Sequence, residues 1–157
     1  MKDKTCCFTG HRTIRPDDLE MLTRNTRNAV CELIDRGYTC FIVGGAIGYD
    51  TLAARILLDL RDTTCPYIRV ILAYPFEGYT ASWEPVQQDE HKRLLPQFDE
   101  AVCVSQQASR GAYLTRNRYM VDHSSVCVSY CFRKSGGTAY TVRYAHEKGV
   151  TVVNAIT

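Results

Sequence analysis

Six short apolar runs set the tightest limit on how this chain can fold. They are TCCFT (5–9), TCFIV (39–43), IRVILA (68–73), EAVCV (100–104), SVCVSY (125–130) and VTVVN (150–154). Each is rich in β-branched side chains, and apolar residues stand next to one another instead of alternating. Strands buried on both faces read this way. Between the runs lie stretches with helical spacing. Pro16 opens a pattern over 16–36, with Leu19, Leu22, Ala29, Val30, Leu33 and Ile34 in register and Gly37 where a helix stops. The next helices are expected over 50–61, 83–95, 114–122 and 138–148. Pro85 suits the first turn of the third, and Gly149 ends the last.

Strands alternating with helices imply a parallel sheet covered on both sides. The fold expected is therefore α/β: a Rossmann-like parallel sheet of about six strands, taken in the order 3-2-1-4-5-6. No linker, repeat or low-complexity stretch divides the 157 residues, so residues 1–157 read as a single domain. Such sheets bind ligands beyond the carboxyl ends of their strands. The loops that matter are then FTGHR, VGGAIGYD, AYPFEGYTASW and CFRKSGGT.

Composition narrows the class further. A net charge of +2 does not argue for nucleic acid or membrane. No apolar stretch approaches the roughly 20 residues that span a bilayer. MKDKTCCFTGHR lacks the apolar core of a secretory leader, so a cytoplasmic location is expected. The eight cysteines fall mostly inside apolar runs, and none forms a CxxC pair. They read as reduced, structural residues, with no metal implied.

VGGAIGYD lies between a strand and a helix. Gly44, Gly45 and Gly48 let backbone approach a ligand, and free amides at a helix start attract an anion. The spacing is G-G-x-x-G, and no acidic residue ends the next strand to clamp a ribose. A phosphate-binding turn and a plain tight turn both remain open, and Asp50 suits a helix cap. If the turn is a phosphate lip, Gly45→Val is expected to harm binding more than folding. Gly136, Gly137 and Thr138 form a second turn of the same kind. After the first strand, Thr9, Gly10, His11 and Arg12 offer a phosphate fork and a general acid or base. Arg116 and Asn117 belong to TRNRYMVDHS, where Met120 and Val121 should pack on the sheet. Charges on such a helix usually form a solvated face, with Arg116 at a pocket rim as the alternative. Tyr74, Phe76, Tyr79 and Trp83 could stack on a base or close a subunit interface.

Taken together, TGHR, GGAIGYD, AYPFEGYTASW, RNRYMVD and GGTAYTVRYA resemble the YpsA-like family of the SLOG superfamily. The resemblance covers nearly the whole chain. It implies a nucleotide or nucleotide-sugar pocket lined by Gly10, Arg12, Gly44, Gly45, Gly48, Gly136, Gly137 and Thr138. Asp50 would orient the second loop, and Arg116 with Asn117 would reach in. LOG enzymes of the superfamily carry PGGxGTxxE. Here Ser135 replaces the Pro, Ala139 the later Gly, and Val142 and Arg143 the acidic positions. Glycosidic cleavage wants a carboxylate near the ribose. His11, Asp50 and Glu77 are the remaining candidates for catalysis.

The expectation is a binding module for a nucleotide-derived, ADP-ribose-like ligand, acting as a sensor. The alternative is a LOG-type N-glycosidic hydrolase. No separate cofactor is expected. The resemblance also allows a homodimer and a protein partner. DNA binding, by analogy with DprA, is not expected without a basic stripe.

Overall fold

The computed structural model describes residues 1–156. The chain runs β1 (Thr5–Gly10), α1 (Leu19–Asp35), β2 (Cys40–Val43), α2 (Tyr49–Thr63), β3 (Arg69–Tyr74), α3 (Pro85–Leu94), β4 (Glu100–Cys103), α4 (Arg110–Asp122), β5 (Val126–Tyr130), α5 (Gly137–Glu147) and β6 (Thr151–Asn154). All strand pairs are parallel, in a six-stranded sheet. The expected Rossmann-like α/β fold is what forms.

Alternate residues of each strand feed two separate cores. Cys6 and Phe8 of β1 face the cluster that holds α1 and α2, through Leu22, Val30, Ile56 and Leu57. Cys7 faces the opposite cluster, with Met120 and Val121 of α4 and Ala145 of α5. The buried stripe of α1 is Leu22, Thr26, Val30, Leu33 and Ile34. Thr26 joins it because its hydroxyl bonds Tyr49 Oη at 2.8 Å. Leu19, expected in the stripe, is about half exposed.

The strand order is β4-β3-β2-β1-β5-β6, which corrects the assumed 3-2-1-4-5-6. The fourth strand pairs with β3, with Ile71 opposite Glu100. The fifth lies against β1, with Cys7 opposite Cys127. Burial explains the choice: every residue of β5 is buried, whereas β4 is largely exposed and suits an edge. The order reverses between β1 and β5, so their following loops splay apart there.

The helix starts differ from expectation by about a turn or less. Ser109 caps α4, its Oγ accepting from Ala112 N–H at 3.2 Å, so that helix begins before Leu114. Gly48, not Asp50, occupies the cap position of α2. All eight cysteines are free thiols. Cys103 is exposed because its strand is an edge. Among the described residues no helix is long and apolar enough to cross a membrane, and no cluster of His, Cys, Asp or Glu is placed to hold a metal.

Candidate functional site

A cavity of about 300 Å³ opens at the carboxyl ends of β1 and β5, where the strand order reverses. The loops after β1, β2, β3 and β5 and the helices α2 and α4 build it. Thr9, Gly10, His11 and Arg12 enter from the end of β1, Arg133 and the turn Ser135–Thr138 from the end of β5. Asp50 enters from α2, Arg116 and Asn117 from α4. Tyr79, Trp83 and Tyr113 make an aromatic wall.

Arg116 is the floor. Only 5% of it is exposed, which contradicts the solvated-face reading. Its Nη1 donates to Gly44 O, and its Nε donates to Asn117 Oδ1 at 2.8 Å. Asn117 thus orients the guanidinium. Burial lowers the arginine's pKa, and Asp50 opposes that shift. Asp50 is equally buried. Desolvation pushes its carboxyl up to about 6 against the pull of Arg116, the Ala46 N–H and Arg12. A carboxyl in that range changes charge near neutral pH, as catalytic acids and bases do.

His11 is a wedge between the two splayed loops. Its Nε2 accepts from Phe132 N–H at 3.0 Å, and its ring stands edge-on to Phe132 at 4.3 Å. The acceptor role puts the proton on Nδ1. Burial, then Arg133 and Arg15, lower its pKa and keep it neutral. Beyond Phe132 the network continues through Arg15, whose guanidinium covers that ring at 3.7 Å.

The glycine turn before α2 departs from expectation. Gly44, Gly45 and Gly48 do not line the cavity. Gly44 makes room for Asp50 and Arg116: a Cβ there would stand 2.8 Å from Asp50 Oδ2 and 3.1 Å from Arg116 Nη1. Gly45 has φ +74°, and its Cβ would meet Leu72 and Tyr79 at 2.6 Å. Gly48, at φ +80°, lies against the carbonyls of His11 and Arg12. Two amides here are also spent within the protein: Ala46 N–H donates to Asp50 Oδ2 at 3.2 Å, and Tyr49 N–H to His11 O at 3.1 Å. This turn packs the first loop in place. The turn at Gly136 and Gly137 is the reverse case. It opens α5, carries no side-chain cap, and has nothing within 4 Å of either would-be Cβ.

Glu77 is the candidate that the structure removes from the cavity. It is exposed, and its Oε1 accepts from Tyr74 Oη at 2.5 Å. The loop turns it outward, with Gly78 at φ +81°. Tyr113 and Arg133 had not been singled out. Tyr113 lies one helical turn before Asn117, a spacing that would have flagged it.

A parallel sheet reversing beside a loop-built cavity defines a Rossmann-like α/β protein. The chain belongs to the YspA SLOG family, whose YpsA model matches residues 7–153. A UPF0398 protein of Shouchella clausii is 26% identical over 127 residues, covering 79% of this chain and 68% of that one. The SPbeta prophage-derived protein YoqJ of Bacillus subtilis is 31% identical over 119 residues, covering 68% and 69%. Among solved structures, DNA processing protein A of Helicobacter pylori superposes with TM-score 0.68 at 16% identity. That of Streptococcus pneumoniae gives 0.70 at 15%. Each match covers 98% of this chain, but the chain spans only 65% and 50% of those two proteins. The former is described in terms of a single-stranded DNA binding mode.

Proposed function

We propose that the cavity binds a nucleotide-derived ligand, and that the chain acts as a sensor or regulatory module. The observation that carries this reading is the polarity of the cavity. Arg12, Arg116, Arg133 and the uncapped turn at the start of α5 share its lining with Tyr79, Trp83 and Tyr113, and Asp50 is the one lining carboxylate among the described residues. Cations and a helix start suit phosphate, and aromatic faces suit a base.

A second reading keeps Asp50 as a general acid or base in N-glycosidic hydrolysis. Its carboxyl near pH 6, inside the cavity, favours that reading. The Glu of the LOG pattern is absent, Arg143 standing at its position, which favours binding without turnover. DNA remains a third outcome to test. Three arginines, Arg12, Arg116 and Arg133, line this cavity, and a structural neighbour is described as binding single-stranded DNA.

Thermal shift against AMP, ADP, ADP-ribose and a short single-stranded oligonucleotide tests the proposal, with chromatography of each mixture. A rise in Tm with intact nucleotide supports the sensor reading. Release of free base makes the protein a hydrolase. A shift with oligonucleotide alone, falling steeply with salt, overturns both.

A further inference from the structure

A second cavity, of about 240 Å³, lies on the far side of Arg12. Arg12 lines both cavities and so forms the ridge between them. The ridge is fixed from below, because its backbone carbonyl rests on Gly48. Its guanidinium makes no hydrogen bond or ion pair to another described residue. The outer cavity is lined by Ile47, Thr51 and Arg55 of the second loop and α2, and by Gln87 and Glu90 of α3. Thr51 Oγ1 donates to Ala46 O at 2.9 Å and Gln87 Oε1 accepts from Glu84 N–H at 3.1 Å, so they offer a hydroxyl oxygen as acceptor and an amide –NH2 as donor, beside the ion pair of Arg55 Nη1 with Glu90 Oε2 at 3.1 Å.

Size bears on the ligand. Small-molecule sites usually occupy about 300–1,000 Å³. Each cavity alone falls at or below the small end of that range, whereas the two across a shared cation fall within it. Helix α3 supplies Gln87 and Glu90 to the outer cavity, and Trp83, in the loop just before it, lines the inner one. His91 of α3 lies behind the aromatic wall, its Nε2 3.2 Å from Tyr79 Oη. Yet α3 has no buried residue. A ligand that occupied both cavities would add the contacts that this helix lacks.

We infer that the outer cavity is a second subsite, which takes a hydroxyl-rich, sugar-like group joined through phosphate to the nucleoside held in the inner one. The inference rests on the proposed nucleotide site. Arg12 sits over the linking phosphates, and Arg133 also lines the inner cavity. The polar lining beyond it meets sugar hydroxyls as donors and acceptors.

The test compares AMP, ADP and ADP-ribose by titration calorimetry on the wild-type chain, Ile47→Trp and Arg55→Gln. AMP reaches only the inner cavity, ADP adds phosphate, and ADP-ribose adds the second sugar. Expected is binding of ADP-ribose about ten-fold tighter than ADP. Ile47→Trp should fill the outer cavity and bring ADP-ribose down to the level of ADP while leaving AMP unchanged. Arg55 is an exposed side chain, so Arg55→Gln serves if the bulkier variant fails to fold, with a smaller loss in the same direction. The subsite is overturned, and the nucleotide site stands, if ADP and ADP-ribose bind alike or if the variants weaken all three equally. If none of the three binds, both fall.

Discussion

Asp50 is the residue on which charge and stability meet. Its folded carboxyl, at about 6, lies above the ordinary 3.8. A raised folded pKa gives stability that is present below about pH 4 and lost as pH rises through about 6. The difference corresponds to about 3 kcal/mol at most. Asp50→Asn keeps an acceptor for Ala46 N–H and removes the titration. The variant should therefore gain on the wild type as pH rises from 4 to 7, read as the difference between their Tm values. A constant difference across that window would show that Asp50 does not titrate there. His11 works in the opposite sense. Its pKa is depressed, so the stability from its neutral ring is present above about 6.5 and fades as pH falls through the folded value. The D50N comparison removes this contribution, because His11 is common to both proteins.

The two glycine turns look alike as elements of sequence and differ in the fold. The turn before α2 is packed from both sides, against Leu72, Tyr79 and the carbonyls of the first loop. Gly45→Val should therefore unfold the protein or lower its stability by more than about 3 kcal/mol, from strain at φ +74° added to overpacking. This reverses the expectation that binding would suffer before folding. The turn before α5 faces open space. Gly137→Val should leave Tm within a few degrees of wild type and abolish any ligand-induced shift. Circular dichroism melts with and without ligand separate the two outcomes. A Gly137→Val protein that still shifts fully would show that this turn is not part of the site.

At the scale of the molecule, order is uneven across the sheet. β1, β2 and β5 are buried along their length, whereas β4 is mostly exposed and α3 buries no residue. Local opening follows few buried contacts. Native-state hydrogen exchange should show amides of β1 and β5 protected to the level of global unfolding. Those of α3 and β4 should exchange at least about 100-fold faster, a gap of about 2.7 kcal/mol. Equal protection in all of them would mean that α3 and β4 are held as firmly as the core. Because α3 lines the outer cavity, ligand that reaches it should raise protection there more than in β1.

The sequence alone determined the elements and the fold class. The runs from TCCFT to VTVVN are apolar on consecutive residues, and the periodic stretches between them can bury their stripes only against such a sheet. It also pointed to the loops, since each strand feeds its carboxyl end into a helix. Local pattern could not rank the strands. EAVCV and SVCVSY read alike, and only competition for the place beside β1 made one an edge and the other an interior strand. That choice set where the sheet order reverses, and with it which loops share a cavity. It turned the glycines of the second loop into packing, drew Arg116 and Asp50 into the interior, and left Glu77 in solvent with Tyr74. Burial and mutual distance belong to pairs of residues far apart in the chain, so no reading of neighbours along it contains them.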